Sequence, residues 1–190
     1  MFASKNTFYI SRENYLKGEE VSPVRHEYIR GEVYAMAGGT QAHNTVAMNL
    51  SALLRNHVRG TGCRTFVENM KVLIDAADVY YYPDVTVTCD ERDRNPSDSF
   101  IRYPSLVVEV LSDNTEAFDR GDKFADYQQI ETLQEYVLVS PKKPKVECFR
   151  RNGEGRWELY NFGKGEEIEL ASINFRVNIS VLYEDVPELS

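Results

Sequence analysis

Residues 80–90 read Tyr-Tyr-Tyr-Pro-Asp-Val-Thr-Val-Thr-Cys-Asp, and residues 104–112 read Pro-Ser-Leu-Val-Val-Glu-Val-Leu-Ser. Each is an apolar run that reads as a β-strand, and each carries one acid at its edge, Asp84 in the first and Glu109 in the second. The Leu106–Leu111 stretch, apolar but for Glu109, is the pattern of a strand covered on both faces. A carboxylate in such a strand is costly unless something pairs with it. Two on neighbouring strands repel each other and raise one another's pKa. A divalent cation removes both problems, and hard ions such as Mg²⁺ prefer oxygen ligands. The pair therefore points to a metal site. Asp84, following Pro83, is also the type of residue that starts a strand.

Working outward, Ser11–Lys17 reads as a short helix with Tyr15 and Leu16 packing. Arg25–Ala37 alternates around Gly31, as a strand or tight hairpin does. Thr40 is an N-cap candidate for a helix over Gln41–Val58, whose Val46, Ala47, Leu50, Leu53, Leu54 and Val58 recur at helical spacing. Cys63–Val67 and Met70–Ile74 read as strands, the second pairing with Tyr80–Thr88 across the turn at Asp75–Asp78. Asp90–Asp98 reads as an exposed loop. A helix is expected over Glu116–Gln129 and a strand over Glu135–Ser140. Val146–Arg151, Arg156–Asn161 and Glu166–Leu170 alternate between glycine-bearing turns, as an antiparallel meander. The order predicts one α/β (α+β) domain over residues 1–190. Its central mixed β-sheet, flanked by helices, occupies about 25–141, and C-terminal antiparallel β-hairpins follow at about 142–180.

The chain has 190 residues, 42% hydrophobic and 27% charged, which suits one domain with a sizeable core. No run approaches the ~20 apolar residues of a membrane span, and Met1–Asn6 lacks a signal-peptide core. Cys63, Cys89 and Cys148 form no Cys-x-x-Cys pair, so they are expected as buried small residues in a reducing cytosol. The formal net charge of −8 argues against a broadly basic surface, but leaves local basic clusters at Arg55–Arg64 and Lys142–Arg151.

Asp119, Lys123 and Tyr127 are spaced by four and share one helix face. An ammonium from Lys123 turned towards the strand ends would stabilise negative charge on a phosphate. An i,i+4 pair with Asp119 is its bland alternative. Glu32 is either a further metal-binding acid or a strand residue facing solvent. His43 is either a phosphate contact or a surface or capping histidine. Three histidines without a His-x-x-x-His pair argue against a zinc site.

The segments YYYPDVTVTCD (80–90), PSLVVEVLS (104–112) and DRGDKFADY (119–127) closely resemble a family of restriction-endonuclease-like proteins in the PD-(D/E)xK nuclease superfamily. HEYIRGEVYAMAGGTQAHN (26–44) resembles that family's opening segment, and EYVLVSP (135–141) its later strand. The resemblance spans about Glu27–Pro141. It implies a restriction endonuclease-like core and hydrolysis of phosphodiester bonds in double-stranded DNA with Mg²⁺ or Mn²⁺. Asp84 and Glu109 would hold the metal, and Glu32 would be the extra acid some members use for a second ion. Leu111 occupies the position two after the glutamate, where the superfamily usually has lysine, and Lys123 on the following helix takes that part. A cytoplasmic homodimer is expected, because cutting both strands needs two sites, with Phe149, Trp157, Tyr160 and Phe162 as interface surface. The competing readings are a nuclease fold that binds nucleic acid or protein without cutting, and a two-carboxylate glycosidase, which lacks the aromatic groove expected of one.

Overall fold

A computed structural model describes residues 9–36, 38–186 and 189. Ala37 and the Met1–Asn6 stretch lie outside the described residues. Helix α1 (Arg12–Val21) starts at the Ser11 cap and precedes the hairpin β1 (His26–Ile29) and β2 (Glu32–Ala35). Helix α2 (Gln41–His57) is capped by Thr40, whose hydroxyl accepts from the His43 N–H. Strands β3 (Arg64–Val67), β4 (Lys71–Ile74), β5 (Val79–Tyr81), β6 (Val85–Thr88), β7 (Phe100–Ile101) and β8 (Leu106–Val110) follow. Then come α3 (Glu116–Arg120), α4 (Asp122–Tyr127), β9 (Glu135–Val139), β10 (Lys145–Arg151), β11 (Trp157–Gly163), β12 (Glu167–Leu170) and β13 (Phe175–Asn178).

The strands form two main sheets. The larger runs β11-β10-β9-β8-β6-β3 and is mixed, with β8 and β9 parallel and its other pairs antiparallel. The smaller runs β2-β1-β5-β4-β7. Alternation along the larger sheet divides its side chains between two cores. Val85, Val87, Leu106, Val108 and Val110 pack with Val46, Leu50 and Leu54 of α2. Val107, Tyr136 and Leu138 point the other way, to Phe124 and Tyr127 of α4 and to Val72, Ile74 and Tyr81 of the smaller sheet. The central mixed sheet with flanking helices is thus present.

Four expectations need correction. Tyr80–Thr88 is two strands in different sheets, because Tyr82-Pro83-Asp84 carries the chain from one sheet to the other. Pro83 has no N–H to offer a ladder, which suits that crossing. The Glu116–Gln129 helix breaks at Gly121 into α3 and α4. A Cβ there would lie 3.2 Å from the Ala117 carbonyl oxygen. The C-terminal meander is only partly formed: β10 and β11 extend the larger sheet, whereas β12 leaves it to pair with β13. Finally, Cys63 and Cys89 are joined in a disulfide, and Cys148 alone is a free, buried thiol. The β3–β6 register pairs Arg64 with Thr88, so one step further the two cysteines face each other across the sheet edge.

The loop after β6 is mostly exposed but is tied down by one buried acid. Asp93 accepts from the Arg102 and Tyr103 N–H groups at 3.0 Å each and from the Thr88 hydroxyl at 2.9 Å.

Candidate active site

The β6–β8 register pairs Val85 with Val108. One step on, Asp84 stands opposite Glu109, which places both positions on the α4 side of the sheet. Strand β8 outruns β6 at this end, so the Val110 N–H has lost its main-chain partner. The Asp84 carboxylate replaces it, accepting from that N–H at 2.7 Å.

Glu109 is buried. Lys123 Nζ reaches it from α4 at 2.9 Å, and also lies 3.2 Å from Glu27 Oε1 of β1 and 3.6 Å from Asp119 Oδ1. Thus three acids from three elements surround one ammonium. Glu27 is held in turn by the Tyr82 N–H at 3.3 Å. Burial pushes the Glu109 carboxyl well above its ordinary range, against the opposing pull of Lys123. Burial also raises Asp119. The Lys123 ammonium is disfavoured by burial, but Glu109, Glu27 and Asp119 hold its pKa well above the ordinary lysine value.

His43 Nε2 lies 3.5 Å from Asp84 Oδ2. The Asp84 carboxylate holds the imidazole pKa above its ordinary value, outweighing partial burial. Gly39 leaves space for this ring: a Cβ there would come within 2.9 Å of His43 Nδ1.

Glu27, His43, Asp84, Glu109, Asp119 and Lys123 all line one cavity of about 930 Å³. The structure therefore brings Asp84, Glu109, Lys123 and His43 together on this one cavity. Glu32 is not: it sits at the turn end of the β1–β2 hairpin, accepts from the Tyr34 hydroxyl, and does not line the cavity. The N-terminal acid of the site is Glu27, on the same strand face two pleats away. Strand alternation alone does not choose between the two, because the hairpin register puts both on one face.

The other buried glutamates provide a contrast. Glu135 accepts from Arg150, from the Ala171 and Ser172 N–H groups and from the Ser172 hydroxyl. Glu19 accepts from the His26 N–H at 2.8 Å and the Tyr82 hydroxyl at 3.1 Å. Both are structural carboxylates with their lone pairs filled. The Lys123 contact to Glu109 Oε1 is close but off the direction of a hydrogen bond, and that buried oxygen has no aligned donor. Hard oxygen donors of this kind fit a divalent cation, and Asp84 and Glu109 are the residues that could hold one. Among the described residues no three acidic, histidine or cysteine side chains are already drawn together as a ligand set. The acids are gathered around Lys123 instead.

The aromatics expected at an interface pack largely within the chain. Phe149 and Trp157 lie 4.5 and 5.3 Å from the Phe124 ring, and Phe162 packs on the α2 core. Tyr160 remains exposed beneath Arg150. No helix among the described residues is long and apolar enough to cross a membrane.

The sequence profile of the Uma2 family, described as "Putative restriction endonuclease", matches residues 12–181. Two uncharacterized proteins of Synechocystis sp. are similar over nearly their whole length. One, slr1290, is 42% identical over 92% of this chain and 91% of its own. The other, sll1609, is 34% identical over 90% of this chain and 98% of its own. A crystal structure from Anabaena variabilis, described as "a putative nuclease belonging to DUF820", superposes with a TM-score of 0.74 at 18% identity, covering 92% of this chain and 98% of that one. That likeness shows a shared mixed α/β fold. With the profile covering almost all of the described residues and two relatives above 30% identity, the chain belongs to the Uma2 family of restriction-endonuclease-like proteins.

Proposed function

We propose that the protein is a metal-dependent endonuclease that hydrolyses phosphodiester bonds in DNA, with Mg²⁺ or Mn²⁺ held by Asp84 and Glu109. The observation that carries this is the convergence of Asp84, Glu109 and Lys123 from separate elements in one cavity, with a Glu109 oxygen that no donor fills. When bound, the ion would lower the pKa of a water and neutralise charge on the scissile phosphate. The chain supplies the rest. Lys123, kept charged by its acidic neighbours, stabilises negative charge developing on a phosphate that enters the cavity. Glu27 and Asp119 hold that ammonium in place. His43, favoured in its charged form by Asp84, is positioned on the wall to contact a phosphate oxygen.

A protein that used the fold only to bind would have no need of an unfilled carboxylate beside a buried ammonium. The test is cleavage of mixed DNA substrates with Mg²⁺, Mn²⁺ or EDTA. Wild type should cut only with metal. Asp84→Ala and Glu109→Ala should fall by at least a thousandfold while retaining the wild-type circular dichroism spectrum. Equal cleavage by both variants would place the active site elsewhere.

A further inference from the structure

The cavity that holds the acids has features that select its substrate. Its volume, about 930 Å³, lies within the roughly 300–1,000 Å³ of pockets that enclose a small ligand. The acids lie inside it and are nearly buried. Duplex DNA is bound mainly by rows of Lys and Arg along its phosphates. Among the described residues the lining offers, besides the buried Lys123 and the Asp84-paired His43, only Arg30 and Lys142, and both are engaged by acids. Arg30 contacts Asp126 at 2.5 Å, and Lys142 is bonded to Asp113.

The lining does offer an exposed aromatic ring. Tyr34, 47% exposed, lines the cavity from β2. The hairpin register sets it directly opposite Glu27, the acid that touches Lys123. The ring therefore stands one strand away from the ammonium, on the same face. Its hydroxyl is bonded to Glu32, which fixes the ring's direction and gives that glutamate a part outside the acid cluster. Bases that are not paired can be recognised by stacking on such rings, which a duplex keeps inside its own stack.

We infer that the site takes an unpaired stretch of DNA, with a base stacked on Tyr34 and the neighbouring phosphate beside Lys123. The inference rests on the nuclease reading and names its substrate class. One chain then suffices for one cut, and no second copy is needed.

Binding separates this from the catalytic proposal, because it is measured without cleavage. Fluorescence anisotropy in EDTA, and again in Ca²⁺, would compare a labelled single-stranded oligonucleotide with the same sequence as a duplex. Single-strand binding should be tighter by at least tenfold in one of these buffers. Tyr34→Ala should weaken it by roughly fivefold to a hundredfold, the range of one base–aromatic stack. Tyr34→Phe should retain most of the affinity, since the ring stacks and the hydroxyl only orients it. Equal binding of duplex and single strand, no single-strand binding in either buffer, or unchanged affinity in Tyr34→Ala would each overturn the inference. Tight single-strand binding without cleavage in any metal would instead overturn the endonuclease proposal and leave this one standing.

Discussion

At the scale of single residues, Glu109 has the most unusual chemistry. It is a buried acid with its pKa raised by desolvation, and its nearest cation is shared with two other carboxylates. The folded state thus holds a proton on Glu109 at pH values where the unfolded chain, near 4.5, has released it. Folded protein binding more protons means stability falls as pH rises through this window. Glu109→Gln removes that dependence. In EDTA, the stability of Glu109→Gln relative to wild type should increase between pH 5 and pH 8, read as urea midpoints at the two values. Parallel midpoints would mean that Glu109 is better solvated than its burial implies. Asp119 contributes in the same direction but is present in both proteins, so it cancels. The sequence made Asp84, Glu109 and Lys123 legible because each breaks a local pattern: an acid within an apolar strand, or a cation at helical spacing from an acid. Glu27 breaks no such pattern. It looks like any polar residue of an alternating hairpin, and only its partner on α4 distinguishes it from Glu32.

At the scale of elements, local signals were sufficient where chain neighbours decide the structure. The Thr40 cap, the α2 periodicity and the turn at Gly31, whose φ is +93° after Arg30 at +51°, are all of this kind. Two successive positive φ values make the tight hairpin that matches strand twist. Where distant segments decide, the signals failed. Pro83 marks a break between Val79 and Thr88 but does not say that the chain changes sheets there, and nothing around Phe175 announces a partner for β12. The disulfide belongs here too. Cys63 and Cys89 are 26 positions apart and meet only through the β3–β6 register. The link ties an edge strand to the interior of the larger sheet, and closing a loop of that length contributes roughly 2–4 kcal/mol. Reduction with dithiothreitol, or Cys63→Ser, should lower unfolding free energy by that amount in denaturant titrations. Cys148→Ser, which breaks no link, should be indifferent to reductant.

At the scale of the whole molecule, the site lies on the seam between the two sheets. Glu27 comes from the smaller one and Glu109 from the larger, with Asp84 on the segment that joins them. An ion bound there would engage only the folded arrangement and so stabilise the entire domain by mass action. At a Mg²⁺ concentration ~100 times its dissociation constant the gain is about 2.7 kcal/mol. Thermal melts should therefore shift upward from EDTA to Mg²⁺ in wild type, and the shift should vanish in Asp84→Ala. Identical melting of wild type in the two buffers would exclude tight binding by the free protein.

The Lys123 ammonium, shared among Glu27, Glu109 and Asp119, also bears on how the chain comes to be folded. It serves as a built-in counter-ion, so the acids can be enclosed during folding with no other cation present. An ion of the kind proposed would then meet a chain that is already folded, and a chelator would remove it without passing the chain through the unfolded state.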